Sequence, residues 1–187
     1  LAHKNIPWLE AKEFSVPFGQ GITPTNVSGF DMICTTLNET STGVQLDSLP
    51  VVDANTILAV DATSGAGQVP CDVSKTDIFF FSPQKVFASE GGLWIAIMSP
   101  KAITRALKIE KEAKRYIPHI MSWKQAIENS EKNQTYNTPA ISTFYLLNEQ
   151  IKVLNQLGYD KVIEGAQAKA NLLYGWATEK PYLKAFI

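Results

Sequence analysis

Apolar residues gather in short, continuous runs in the first half of the chain. Three such runs cover residues 56–60, 78–81 and 93–98, and a short β-favouring run lies at 31–37. A strand that is apolar at successive positions, without alternation, is typical of the interior of a sheet with both faces covered. The three continuous runs are therefore predicted to be interior strands.

The second half of the chain carries signals for helices. Ser99-Pro100 supplies an N-cap and a proline suited to the first helical position, which predicts a helix to about Lys114. Thr138-Pro139 repeats this arrangement before a helix that is predicted to end at Gly158. Strands first, with helices interleaved and following, predict an α/β domain with a mostly parallel sheet.

The helix predicted after Thr138-Pro139 carries apolar residues on one face. Its members are Ile141, Phe144, Tyr145, Ile151 and Leu154. Asp160 is predicted to cap a final helix through about Thr178. Residues 1–30 are rich in Pro, Gly, Asn and Thr, which predicts irregular connection.

Composition narrows the possible functions. With 187 residues, 45% hydrophobic residues and a formal net charge of −1, the sequence offers no electrostatic case for binding nucleic acid or an anionic membrane surface. No apolar run reaches the roughly 20 residues of a membrane span, and two cysteines and two histidines at these spacings make no metal site. Sparse cysteines and the lack of a signal peptide predict a cytoplasmic protein with reduced thiols. Because the chain starts at Leu1 rather than Met, we interpret it as a fragment of a longer protein.

Two residues are candidates for chemistry. Asp61 ends one apolar run and Lys85 follows the end of the next, and ligands of open α/β sheets gather at the carboxyl ends of strands. A lysine can form a Schiff base with an aldehyde cofactor, and a carboxylate beside a pyridine nitrogen keeps that nitrogen protonated. The pair therefore fits pyridoxal phosphate. A turn-forming aspartate and a solvated surface lysine are the simpler interpretations of each residue taken alone.

The neighbours of this pair have mainly structural interpretations. An apolar setting for the lysine could come from Phe79, Phe80, Phe81 and Phe87. The glycine-rich stretch at 64–67 could cradle a phosphate, although it lacks the lysine of a P-loop. Trp94 is predicted to lie in the core, and Cys34 and Cys71 to be buried small apolar residues.

Four motifs, in order along the chain, resemble those of phosphoserine aminotransferases, which belong to the class V aminotransferases of fold type I. They are NETSTG at 38–43, DATSGAG at 61–67, SPQKVFASEGGLW at 82–94 and ENSEKNQTYNTPA at 128–140. The likeness is strongest to the actinobacterial type. It implies a three-layer α/β/α fold, with residues 1–157 forming part of the large cofactor domain. Residues 158–187 would then form a helix leading to a smaller C-terminal domain that is absent.

The resemblance also implies roles for individual residues. Lys85 matches the lysine that forms the Schiff base with pyridoxal phosphate and acts as general base, and Gln84 matches a glutamine that contacts the cofactor phosphate. Asp61 matches the aspartate paired with the pyridine nitrogen. Thr40 matches the threonine near the phenolic oxygen of the ring.

Asn137 and Thr138 match a pair that reaches the cofactor phosphate of the neighbouring subunit, which implies a homodimer. If Thr138-Pro139 opens a helix, the unpaired N–H groups of that helix end would also favour an anion. N-capping alone is the simpler role for Thr138.

The implied activity is a ping-pong transamination in serine biosynthesis. Glutamate and 3-phosphohydroxypyruvate would give 2-oxoglutarate and O-phosphoserine, and a related intermediate of pyridoxine biosynthesis would be a further substrate in some bacteria. The family's substrate-binding arginines fall outside this sequence. Two other interpretations stay open: another class V enzyme, such as an alanine–glyoxylate-type aminotransferase, or a non-catalytic fragment. A cysteine desulfurase is disfavoured, since no cysteine lies on an obvious mobile loop.

Overall fold

A computed structural model describes residues 6, 9–25, 27–112, 114–184 and 186. The strands are β1 (Met32–Thr36), β2 (Asn38–Glu39), β3 (Val44–Gln45), β4 (Ile57–Asp61), β5 (Ile78–Phe81) and β6 (Ile95–Met98). The helices are α1 (Pro100–Glu112), α2 (Trp123–Ser130), α3 (Ile141–Leu157) and α4 (Tyr159–Thr178). No helix in the described part of the chain is long and apolar enough to cross a membrane. The described residues before β1 contain no regular element, as predicted.

Four strands form one sheet in the order β1-β4-β5-β6. β4 pairs with β1 and β5 in parallel, and β6 joins β5 in the antiparallel sense. The register sets Thr36 opposite Asp61, and Asp61 opposite Phe80. The carboxyl ends of β1, β4 and β5 therefore lie side by side. The predicted α/β class with a mostly parallel sheet is confirmed.

β4 is the centre of the core because both of its faces are covered. Ile57, Leu58 and Val60 are each at most 1% exposed. Burying one such side chain contributes on the order of 1.5–3 kcal/mol. Successive residues of a strand point to opposite faces, and β4 accordingly supplies two apolar clusters. One cluster contains Val27, Ile33, Leu37, Leu58, Val60, Ala62, Ala66, Val69 and Phe79. The other contains Ile57, Ala59, Ile78 and Ala102, with Trp123 packed against it.

The third predicted interior strand is an edge strand within the described sheet. β6 pairs only with β5 among the described strands, and Ile97 is 50% exposed. The prediction for Trp94 is also wrong, because this side chain is 55% exposed and packs edge-on against Trp123, with ring centroids 5.6 Å apart. An apolar run predicts a strand with faces to cover. It does not specify which elements cover them.

Both cysteines also depart from their predicted burial. Cys34 is exposed on β1, and Cys71 is half-buried. Cys34 is exposed because β1 is an edge strand in the described sheet. One face of an edge strand can stay open even where the sequence is apolar.

The predicted start of α1 is confirmed, and the predicted start of α3 is not. α1 begins at Pro100 as predicted, and the N–H of Ala102 donates to the Ser99 hydroxyl at 3.1 Å. α3 begins later than expected, with Ala140 as its N-cap and no side-chain capping bond, so Thr138 is not the cap. Gly158, at φ +87°, ends α3 as predicted.

Gly158 is also the N-cap of α4. Asp160 therefore lies in the first turn of α4 and is not its cap. A carboxylate there still favours the helix because it faces the positive end of the helix dipole. The predicted end of this helix at Thr178 is confirmed.

The apolar face of α3 is largely exposed in the described part of the chain. The buried residues of this helix are Thr143 and Leu147. Ile141 and Tyr145 are 69% and 65% exposed, and Phe144 and Ile151 are exposed as well. Apolar periodicity indicates a face that some element covers. Within the described part of the chain, that element is not present over this face.

An Asp–Lys pair lies at the amino-terminal edge of β4 and β5. Asp77 Oδ2 accepts the N–H of Leu58 at 2.9 Å and lies 2.8 Å from Lys101 Nζ. Its Oδ1 accepts the Ser99 hydroxyl at 2.7 Å. Burial opposes ionisation of Asp77, but the hydrogen bonds from Lys101, Ser99 and the Leu58 backbone outweigh it and hold the pKa below its ordinary value. This pair joins the beginnings of β4, β5 and α1, and no local sequence pattern predicts it.

Candidate active site

Three of the predicted site residues follow neighbouring strand ends. Asp61 is the last residue of β4, Lys85 lies four positions beyond the end of β5, and Thr40 lies in the turn between β2 and β3, just after β1. Because β1, β4 and β5 are parallel neighbours, the three residues follow the same edge of the sheet. The predicted placement of Asp61 and Lys85 on successive strand ends agrees with this topology.

The Asp61 carboxylate is held on one side only. Its Oδ1 accepts the backbone N–H of Thr63 at 2.9 Å and the Thr63 hydroxyl at 2.6 Å. Among the described residues, none donates a hydrogen bond to Oδ2. The turn-forming interpretation is therefore correct for one oxygen, and the other stays available to a ligand. The DAT sequence signals such a turn, but Thr63 was not singled out as a support.

Lys85 and Gln84 lie in the loop at 82–94 that joins β5 to β6, and both side chains are exposed. Phe87 stacks on Phe81 with ring centroids 5.1 Å apart, so these rings pack under the loop. The predicted apolar enclosure of the lysine is wrong for the described chain. The interior rings fill the core and do not cover the amine.

The glycine-rich stretch at 64–67 packs into the core and does not form an open phosphate cradle. A Cβ on Gly65 would lie 2.8 Å from Leu37 Cδ2, which explains the need for glycine there. Ser64 donates its hydroxyl to the Asn38 carbonyl at 2.8 Å and accepts from the Asn38 amide at 3.0 Å. These bonds join the segment after β1 to the segment after β4.

Asn137 and Thr138 are exposed in the segment that precedes α3. The Asn137 carbonyl accepts the Thr135 hydroxyl at 2.6 Å. Among the described residues, no hydrogen bond joins this pair to Thr40, Asp61 or Lys85. Their reach into a neighbouring subunit stays a prediction.

Comparison with known proteins agrees with this architecture. The profile of the family described as Aminotransferase class-V matches residues 26–185. The phosphoserine aminotransferase of Corynebacterium glutamicum (strain R) is 41% identical over 189 residues, covering 100% of this chain and 50% of that protein. A crystal structure of a phosphoserine aminotransferase from Cytophaga hutchinsonii superposes with a TM-score of 0.74 at 26% identity, covering 86% of this chain and 46% of that one. The chain thus spans about half the length of the relatives it matches.

The chain belongs to the class V aminotransferases. This family depends on pyridoxal phosphate, and a structure described as PLP-bound phosphoserine aminotransferase from Trichomonas vaginalis has the same fold, with a TM-score of 0.66 at 22% identity over 82% of this chain and 40% of that one. The described residues fit such a cofactor chemically. They offer an exposed primary amine, a carboxylate oxygen with no described donor, and an exposed hydroxyl, all at or just after adjacent strand ends.

Proposed function

We propose that this chain is part of a phosphoserine aminotransferase. The enzyme would exchange an amino group between glutamate and 3-phosphohydroxypyruvate, forming 2-oxoglutarate and O-phosphoserine in serine biosynthesis. The observation that carries the proposal is that Asp61 ends β4 and Lys85 follows the end of β5, and these two strands are parallel and directly paired. Curated relatives with this name, at about 40% identity, support the choice of substrate.

Each proposed role uses an atom whose surroundings are described. Pyridoxal phosphate, when bound, supplies an aldehyde for the amino group and a ring that withdraws electrons from the substrate α-carbon. Lys85 would hold the cofactor through Nζ, and its amine would serve as the general base that moves the proton at the substrate carbon. Asp61 Oδ2 keeps a proton on the ring nitrogen, because an opposite charge favours the charged form. Thr63 leaves that oxygen free by binding Oδ1 instead.

The remaining predicted residues complete the phosphate and ring contacts. Gln84 donates its amide to the cofactor phosphate, and Thr40 donates its hydroxyl to the phenolic oxygen. Asn137 and Thr138 act on the phosphate of a second subunit, so the working enzyme is a homodimer. In the parent protein, residues 158–187 lead from the cofactor domain into a C-terminal domain.

The first test is covalent labelling of the chain. Incubation with pyridoxal phosphate, borohydride reduction and peptide mass mapping should place the label on Lys85. Lys75 and Lys124 serve as internal controls, since both side chains are more than half exposed. Label spread evenly over the exposed lysines would contradict the proposed site.

The loaded chain also separates the candidate reactions. In the longer parent enzyme, transfer of the amino group from phosphoserine to the bound cofactor, followed by absorbance, is expected, with no transfer from alanine. Transfer from alanine alone would indicate another class V aminotransferase. Label on Lys85 without transfer from either amino acid would indicate a non-catalytic fragment.

A further inference from the structure

The loop that carries Lys85 is tied to α3 by two hydrogen bonds between residues far apart in sequence. Ser89 donates its hydroxyl to the carbonyl of Thr143 at 2.8 Å. The Thr143 hydroxyl donates to the carbonyl of Gly91 at 3.3 Å. Thr143 is 1% exposed and Ser89 is 9% exposed, so water competes little for either bond. We call these three residues the loop clasp.

The clasp is attached directly to the turn that presents Lys85. The N–H of Ser89 donates to the Pro83 carbonyl at 3.2 Å, and the N–H of Ala88 donates to the Lys85 carbonyl at 3.1 Å. Lys85 therefore lies within a closed turn whose far end is Ser89. Movement of Ser89 changes where the lysine backbone lies.

The same turn contains a backbone conformation that needs support. Ala88 has φ +46°, in the left-handed region that is unfavourable for residues with a Cβ. Such a conformation persists where the surrounding structure fixes it, and it occurs often at functional sites. The adjacent residue, Ser89, is the one anchored to α3.

A neighbouring contact provides a natural control. Ser142, one residue before Thr143, lies 3.5 Å through its hydroxyl from Glu90 Oε2, and both residues are exposed. This bond joins the same loop to the same helix turn, but it lies in water. A bond of this kind contributes little to holding the loop.

We propose that Ser89 and Thr143 are positioning residues for Lys85. They touch neither cofactor nor substrate in this scheme, and they fix the loop so that the lysine amine meets the cofactor aldehyde. This inference rests on the proposed function, since it gives the clasp a purpose only if Lys85 is the attachment site. Asn137 and Thr138, which precede α3, are predicted to act on the neighbouring subunit. The inference adds a role for α3 in positioning Lys85 of its own subunit.

The test compares Ser89→Ala and Thr143→Val with Thr143→Ser and with Ser142→Ala as the control. Thr143→Val keeps the side-chain shape and removes the donor, whereas Thr143→Ser restores it. Two quantities are measured on the full chain. One is the initial rate of pyridoxal phosphate labelling at Lys85 relative to Lys75, and the other is amide hydrogen exchange at Ala88, Ser89 and Val60.

Ser89→Ala and Thr143→Val are each expected to lower the relative labelling of Lys85 about fivefold, the usual scale for one buried hydrogen bond. Exchange at Ala88 and Ser89 should rise by a similar factor, with Val60 in β4 unchanged. Thr143→Ser should recover most of the labelling, and Ser142→Ala should match the wild type.

Three results would overturn the inference, and they differ from failure of the proposed function. Faster exchange in the loop with unchanged labelling would mean that the clasp holds the loop without positioning the lysine. Faster exchange at Val60 as well would mean a general loss of stability. Failure of Thr143→Ser to recover labelling would mean that the hydroxyl is not the relevant group. Absence of preferential Lys85 labelling in the wild type would instead contradict the proposed function, and the inference would fall with it.

Discussion

Two aspartates serve opposite ends of the same pair of strands, and their surroundings differ sharply. At the amino-terminal edge, the side chain of Asp77 is only 11% exposed, and both of its carboxylate oxygens accept hydrogen bonds. Lys101 Nζ lies 2.8 Å from Asp77 Oδ2. At the carboxyl-terminal edge, Asp61 has one occupied oxygen, and Lys85 is exposed in a loop. No ion pair joins Asp61 to Lys85 among the described residues.

This difference distinguishes structural groups from chemical ones. A carboxylate whose hydrogen bonds are all made stabilises the fold and has nothing left to offer a ligand. A carboxylate oxygen that accepts no hydrogen bond from a described residue, at a sheet edge that also carries an amine with no described ion pair, is suited to bind a ligand. The contrast predicts that mutations at one edge change stability and that mutations at the other change cofactor chemistry.

The largest expected effect is at Lys85. Lys85→Ala should abolish borohydride-stable attachment of pyridoxal phosphate, because no other described lysine follows the carboxyl end of β4 or β5 as closely. The midpoint of urea unfolding should stay unchanged, since the side chain is exposed. Lys75→Ala is the matched control. If Lys85→Ala still attached pyridoxal phosphate to the same extent as the wild type, the proposed role of Lys85 would be wrong.

The second largest effect is expected on neutralising Asp61, the other candidate residue at this edge of the sheet. Asp61→Asn should slow amino transfer by about a hundredfold, the scale for loss of one preorganised electrostatic contact. Thr63→Val should weaken pyridoxal phosphate binding only about fivefold, because it removes one hydrogen bond and keeps the carboxylate. For both variants, the absorbance change of the cofactor gives the rate of amino transfer, and absorbance titration gives the Kd for pyridoxal phosphate. Equal effects of the two substitutions would argue against a distinct role for the free oxygen.

At the opposite edge the expected change is in stability. Asp77→Asn should lower the free energy of unfolding by about 2–3 kcal/mol, less than for a fully buried pair because Lys101 is partly exposed. Urea denaturation measures the change, with Asp47→Asn as an exposed control. Cofactor labelling at Lys85 should remain normal in the folded protein. A stability loss no larger than that of the control would show that the pair is dispensable.

The smallest expected effect is the pH dependence of this contribution. The pKa of Asp77 is lower in the folded chain than in the unfolded one, so its stabilising effect is complete above the unfolded pKa and is lost as the pH falls through the folded pKa. The difference in unfolding free energy between wild type and Asp77→Asn should be constant above about pH 5 and shrink below about pH 4. A difference that stayed constant down to pH 2.5 would contradict an ionised Asp77 as its source.

The sequence was informative where the controlling interactions are local. The continuous apolar runs that became β4 and β5, the start of α1 at Pro100 and the end of α3 at Gly158 each depend on a few adjacent residues. The order of Asp61 and Lys85 along the chain also sufficed to place them at one sheet edge, once the strands were taken as parallel.

Interactions between residues that are far apart in the sequence could not be predicted from local patterns. Asp77 and Lys101 are separated by β5, β6 and the loop between them, and Ser89 contacts Thr143 across 54 positions. The exposure of β6, of Trp94 and of the apolar face of α3 depends on what covers them, which periodicity does not specify. The roles of Gln84, Thr40, Asn137 and Thr138 come from family resemblance and await the tests above.

Gly158 has a mechanical consequence of its own. A single residue ends α3 and begins α4, and a hydrogen bond of 3.2 Å from the Tyr159 hydroxyl to the Val69 carbonyl fixes the near end of α4 beside the sheet. A helix of 20 residues is about 30 Å long, so a rotation of about 10° at this joint would carry its far end through about 5 Å. The direction of α4 relative to α3 therefore depends on the two backbone angles of Gly158. A small change in these angles would displace the end of α4 at Thr178 much more than its beginning.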